Sequence, residues 1–132
     1  MSGFAPSRQL ILVADDSRTI LAMVTARLER AGYDVLTASS GDEALRLARE
    51  RQPVLAVLDV EMPGADGIEV TRALRDDIDL ADLPIVLLTS HSTPDAVESG
   101  LAAGANAYVT KPFSPQELQV AIEDLLGRSP SA

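Results

Sequence analysis

The chain alternates between two hydrophobic rhythms. Short, mostly apolar runs at Leu10–Ala14, Tyr33–Ala38, Val54–Leu58, Pro84–Leu88 and Asn106–Thr110 are each followed by a longer stretch whose apolar residues recur three and four positions apart. A short β-branched run bounded by Pro or Gly reads as a strand buried on both faces, and the longer spacing reads as a helix with one buried stripe. Val54–Leu58 is the clearest such run: Pro53 precedes it, and it stops at Asp59 before the Pro/Gly loop Val60–Gly67. Strand and helix alternate five times, which predicts an α/β domain with a parallel sheet covered by helices on both faces.

Local signals fix most helix ends. Ile20, Leu21, Val24, Leu28 and Ala31 make one stripe, which Gly32 closes. Ser40 with Glu43, Asp66 with Glu69 and Ser114 with Glu117 have capping-box spacing, in which the first side chain accepts an orphan amide and the Glu reaches back. Pro53 ends the second helix, the third runs to about Asp76, and Ile78–Leu83 is a loop. Thr93 and Pro94 open the fourth helix and Gly104 stops it; Gly100 inside it costs about 1 kcal/mol against Ala, so this helix is expected to be the softest. Pro115 starts the last helix, which ends near Leu126 before Gly127. Residues 1–8 read as a disordered lead-in, 9–127 as one folded domain and 128–132 as a tail or linker stump. On the first helix the outward positions Thr19, Ala22, Met23, Ala26 and Arg30 form a strip low in charge, either chance surface or a docking face.

Composition narrows the picture. A chain of 132 residues holds one core, and with two Tyr, two Phe and no Trp that core must be aliphatic. A net charge of -9 argues against direct binding to a nucleic-acid backbone. The absence of Cys excludes disulfides and thiolate metal sites. No apolar run is long enough for a membrane span and no secretory leader is visible, so the expected compartment is the cytoplasm.

Parallel strands deliver their carboxyl ends to one rim, where ligands of open α/β sheets bind. The residues closing the runs are Asp15 and Asp16, Asp59, Thr89 with Ser90, and Lys111. Singly, each has a bland reading as a helix cap, loop starter or strand end. Together they crowd carboxylates that repel unless one is protonated or a hard cation is bound through oxygen. Mg²⁺ fits, because it accepts one or two carboxylates, waters and a phosphate oxygen. A hydroxyl from Thr89 and an ammonium from Lys111 would meet the other phosphoryl oxygens, completing the electrostatics of phosphoryl transfer to an Asp59 nucleophile.

Four segments carry a family resemblance: Asp15-Asp16 after Leu-Val-Ala, Asp59 in Leu-Asp-Val-Glu-Met-Pro-Gly-Ala-Asp-Gly, Thr89-Ser90 after Ile-Val-Leu-Leu, and Tyr108-Val-Thr-Lys111-Pro112-Phe113. In combination they are similar to the receiver domain of two-component response regulators, the CheY-like family, from about Gln9 to Gly127. The resemblance implies a doubly wound, flavodoxin-like (βα)5 fold with strand order 2-1-3-4-5. It implies that Asp59 accepts a phosphoryl group from a phosphohistidine of a sensor histidine kinase or histidine phosphotransfer protein. Asp16, Asp59 and the backbone carbonyl of Glu61 would hold Mg²⁺, with Asp15 acting mostly through water, and Lys111 would pair with the phosphoryl group. Lys111-Pro112 would be a cis peptide. Thr89 would move toward the phosphoryl group and Tyr108 would swing inward, remodelling the face of the fourth helix, last strand and last helix.

Glu61 and His91 each lie two residues beyond a site residue, Asp59 and Thr89, and are expected to tune the lifetime of the phosphorylated form. The chain would then be a switch that catalyses only its own phosphorylation and slow dephosphorylation, acting on a downstream protein or through an output domain outside the chain. The low-charge strip would be where a kinase helix pair docks. Two other classes stay open. A haloacid-dehalogenase-type phosphatase shares the Asp nucleophile, Thr or Ser, and Lys, but carries an acid-base Asp where Glu61 stands. A degenerate receiver would act only as a binding module.

Overall fold

The computed structural model describes residues 8–90 and 94–127. His91, the Thr93 cap, the lead-in before Arg8 and the tail from Arg128 lie outside the described residues. Five strands and five helices alternate: β1 (Leu10–Ala14), α1 (Arg18–Arg30), β2 (Asp34–Ala38), α2 (Gly41–Arg51), β3 (Leu55–Asp59), α3 (Gly67–Asp76), β4 (Ile85–Thr89), α4 (Pro94–Ala103), β5 (Ala107–Thr110) and α5 (Pro115–Leu125). All strand pairs are parallel and the sheet order is β2-β1-β3-β4-β5.

The unbroken apolar runs follow from this layering. Strand side chains alternate between faces, and here both faces are covered. Ile11, Val13, Leu55, Val57, Val86 and Leu88 pack with Val24 and Leu28 of α1 and Leu118 and Ile122 of α5. Leu12, Ala14, Ala56, Leu58, Ile85 and Leu87 face the other way, toward Ala44 and Ala48 of α2 and Val70 and Leu74 of α3.

The caps refine the sequence expectations. Asp66 and Ser114 form capping boxes with Glu69 and Glu117. At α2 the Ser40 hydroxyl does accept the Glu43 amide, but the Glu43 carboxylate takes the amide of Ser39, 2.8 Å away, one residue ahead of the cap. Arg8, which the sequence reading places in the lead-in, is engaged with the fold: its guanidinium donates to the carbonyls of Glu29 and Tyr33 and pairs with Asp34. Tyr33 precedes β2, and its ring is fully buried.

Candidate functional site

The carboxyl ends of β1, β3, β4 and the residue after β5 meet at one rim. β1 and β3 are neighbours, so Asp15 and Asp59 follow adjacent apolar runs. The Lys111 amide donates to the Thr89 carbonyl at 2.7 Å, which holds the start of the β5–α5 loop against the end of β4. The Lys111-Pro112 peptide is cis.

Lys111 is the hub. Its ammonium lies 3.1 Å from Asp59 Oδ2 and 3.1 Å from Asp15 Oδ2. Both acids are buried, at 0% exposed for Asp15 and 2% for Asp59, so the pairings are shielded from water. The other oxygens are held by the backbone: Asp15 Oδ1 accepts the Ser17 amide at 2.9 Å and Asp59 Oδ1 accepts the Glu61 amide at 3.2 Å. Asp16, beside Asp15, is exposed. One carboxylate oxygen from each of Asp15, Asp16 and Asp59 lies within 4.8 Å of the others, an arrangement that could hold a metal ion. Asp15 Oδ2 is fully buried and meets the Lys111 ammonium as an ion pair.

Charge does not balance among these groups. Three carboxylates face one ammonium, and the Asp59 carboxyl is pushed up to about 6, chiefly by burial and also by Asp15, against the lowering pull of Lys111 and the Glu61 amide. Burial pulls the Lys111 ammonium down, but hydrogen bonds and charge from Asp59 and Asp15 outweigh it and hold its pKa above the ordinary lysine value. Oxygen ligands, excess negative charge and a rim position together suit a small hard cation with open coordination positions.

Thr89 is buried at the end of β4, where it lines an apolar cavity of about 160 Å³ beneath α4 together with Leu87, Val97, Gly100 and Tyr108. Tyr108 sits at the mouth, 42% exposed. Glu61 is exposed, and its amide donates to Asp59 Oδ1. On the far side of Lys111, Ile20 and Met23 of α1 line a groove with Ser90, Pro112 and Phe113. Met23, expected outward, is therefore half-buried, whereas Thr19, Ala22, Ala26 and Arg30 are exposed.

Sequence reasoning missed two features that support the rim. Ser17 caps α1 while its own amide fixes Asp15; a Ser three residues ahead of Ile20 was the available signal. Arg75 donates to the carbonyls of Gly104 and Ala81 and to Asn106 Oδ1, which also accepts the Ile85 amide, so one side chain joins α3 to the starts of β4 and β5. No spacing rule signals that contact.

The family model for the response regulator receiver domain matches residues 11–123. The alkaline phosphatase synthesis transcriptional regulatory protein PhoP of Bacillus subtilis is 45% identical over 119 residues, covering 90% of this chain and 49% of that protein. The chain thus spans about half the length of the curated relatives it matches. Among solved structures, the chemotaxis response regulator CheY4 of Vibrio cholerae has a TM-score of 0.86 at 34% identity, covering 90% of this chain and 99% of that one. The receiver domain of the sensor histidine kinase PA1611 of Pseudomonas aeruginosa, solved with a magnesium ion coordinated in its active-site cleft, has a TM-score of 0.84 at 30% identity, covering 92% and 99%.

Proposed function

The chain belongs to the response regulator receiver domain family, whose members are phosphorylation-controlled signalling switches, and from that premise we propose that Asp59 is the phosphoryl acceptor. A lone pair of its carboxylate forms the new O–P bond while the N–P bond of a phosphohistidine breaks, and the electron pair returns to the imidazole nitrogen, which takes up a proton. The donor is a sensor histidine kinase or a histidine phosphotransfer protein. The chain catalyses only this transfer and the slow loss of the group to water.

The observation that carries the reading is the single ammonium of Lys111 held 3.1 Å from both Asp15 and Asp59 at the strand rim. Lys111 orients the acceptor and then pairs with the transferred group; the Thr89 hydroxyl donates to a second phosphoryl oxygen. Asp16, Asp59 and the Glu61 backbone carbonyl would hold Mg²⁺, with Asp15 acting through water. When bound, the ion neutralises charge that builds on the phosphoryl oxygens. As Thr89 shifts, Tyr108 turns into the cavity it shares with Thr89, which changes the α4-β5-α5 face. The switch acts in the cytoplasm, where phosphohistidine donors and magnesium are available. Among the described residues no helix is long and apolar enough to cross a membrane.

Donor docking is assigned to the α1 strip beside the Ile20, Met23 and Phe113 groove. A charged residue at Ala22 or Ala26 is expected to slow transfer from a phosphorylated donor domain by about tenfold without lowering thermal stability; unchanged single-turnover rates would remove that assignment. The central test is incubation with Mg²⁺ and acetyl phosphate. A hydroxylamine-labile phosphate on the wild-type chain, absent from Asp59→Asn, is expected. Continuous turnover of the phosphodonor would favour a phosphatase instead, and no modification would leave a binding module.

A further inference from the structure

Protein interiors are close-packed, with few voids larger than a water molecule. The space of about 160 Å³ between the end of β4 and α4 departs from that rule. Its origin is local. Gly100 lies so close to the sheet that an added Cβ would come within 2.7 Å of Leu87 Cδ1, whereas the inward position one turn earlier is only Ala96, and the α4–β5 connection contributes only Ala105. In α1, α3 and α5 the corresponding positions carry larger side chains: Val24 and Leu28, Val70 and Leu74, Leu118 and Ile122.

The lining defines what fits. Among the described residues none that lines the cavity is charged; Val60, Leu87 and Val97 give it apolar walls, and its polar side-chain atoms are the hydroxyls of Thr89, Ser99 and Tyr108. A charged guest would surrender its hydration with no counter-ion to receive it, so the guest is neutral. An apolar cavity of about 150 Å³ can stay dry and take up benzene, which sets the size at one aromatic ring or a small fused pair. Ser99, Leu101 and Tyr108 are exposed, so the cavity opens to solvent between α4 and β5. Tyr108 carries a planar ring of the same shape, and its inward turn would fill the same space.

We propose that the cavity between β4 and α4 binds a small, uncharged, planar aromatic molecule, and that an occupant keeps Tyr108 outside. The binding site stands on the cavity alone; the second clause rests on the reading of Tyr108 as a switch residue. Guest and inward Tyr108 exclude each other, so the phosphorylated state loses affinity for the guest, and by linkage the guest disfavours that state to the same degree.

Indole is the probe, titrated calorimetrically into the unmodified 132-residue chain. Saturable binding of one equivalent is expected, with the negative heat-capacity change of a buried ring. Tryptophan, the same ring carrying a zwitterion, is expected to bind at least about tenfold more weakly. Ala96→Leu, which puts a side chain into the void, is expected to weaken indole binding at least about tenfold, and Ala105→Leu does the same from the α4–β5 connection should the first variant not fold. Ala102→Leu makes the equivalent change on the exposed side of α4 and is expected to alter affinity less than about twofold. Equal losses from the filling variant and Ala102→Leu would place indole on the outer surface and overturn the proposal. So would uptake that does not saturate, or tryptophan binding as tightly as indole. After incubation with acetyl phosphate and Mg²⁺, with phosphate on Asp59 measured on the same sample, indole affinity is expected to fall at least about threefold. Trapped phosphate with unaltered affinity would overturn the exclusion of Tyr108. Indole binding to a chain that traps no phosphate would count against the switch reading and in favour of the cavity site.

Discussion

Asp59 is asked to be a carboxylate where a carboxylate is poorly solvated. Its pKa, pushed up to about 6 mainly by burial, exceeds the ordinary value of 3.8 that it recovers on unfolding. Between these two values the folded chain binds more protons than the unfolded one, so the Asp59 contribution to stability is fully present below about pH 4 and is lost as pH rises through about 6. Asp59→Asn removes the ionisation while leaving Lys111 its Asp15 partner. In the absence of divalent ions the variant is expected to be the more stable protein above pH 6, by on the order of 2 kcal/mol, with the gap closing toward pH 4. Urea unfolding at several pH values measures it, and a pH-independent gap would locate the effect elsewhere. Glu61, two residues after Asp59 and exposed, adds a second charge near the proposed acceptor. Glu61→Ala is expected to change the decay rate of the acyl phosphate at least about threefold; an identical decay curve would show that the side chain does not govern approach of water.

Two glycines show how helices are fitted to the sheet, and the same substitution has opposite effects at them. Gly41 begins α2, and a Cβ there would lie 1.7 Å from the backbone carbonyl oxygen of Ala65. That carbonyl belongs to the β3–α3 loop, which the Gly41 amide also grips through the Pro63 carbonyl at 3.4 Å. Backbone cannot give way as a side chain can, so Gly41→Ala must displace the loop that starts at Asp59 and carries Glu61. A loss of more than about 2 kcal/mol is expected, with slower phosphorylation by acetyl phosphate. Gly100 of α4 differs, because its added Cβ would meet only Leu87 Cδ1, at 2.7 Å, beside the 160 Å³ cavity that both residues line. Leu87 can turn into that space. Gly100→Ala is therefore expected to stabilise by about 0.5 kcal/mol, the helix-propensity gain less a small repacking cost. Thermal melts of the two variants that moved in the same direction would refute this account. The sequence marked Gly100 as a weak point in a helix but could not show the space beneath it, and it gave no hint of the Ala65 contact at Gly41.

Across the domain, what was legible in the sequence was whatever repeats with a local period or ends with a local signal. The runs at β1, β3 and β4 announced strands covered on both faces, and because parallel strands end on one rim, Asp15, Asp16, Asp59, Thr89 and Lys111 could be grouped before any distance was known. Contacts that depend on how distant segments lie together were not legible: Arg75 on the Gly104 carbonyl, or Glu123 buried beside the Tyr33 hydroxyl at 3.5 Å. The acidic cluster belongs to this second kind in its energetics, since its oxygens lie within 4.8 Å only when β1 and β3 are paired. Unfolding disperses them, so a divalent ion that binds the folded cluster and not the open chain must raise stability by mass action, about 2.7 kcal/mol at a hundred times its Kd. Magnesium chloride at pH 7 is expected to raise the midpoint of thermal unfolding progressively with concentration. Sodium chloride at matched ionic strength screens the same repulsion without bridging the oxygens and is expected to give a smaller rise. Asp16→Asn, which removes the exposed ligand while sparing the Lys111 pairs, is expected to erase most of the difference between the two salts. Equal responses to both salts in the wild-type chain would mean that the cluster is relieved by screening alone, and the assignment of a bound metal would fall with it.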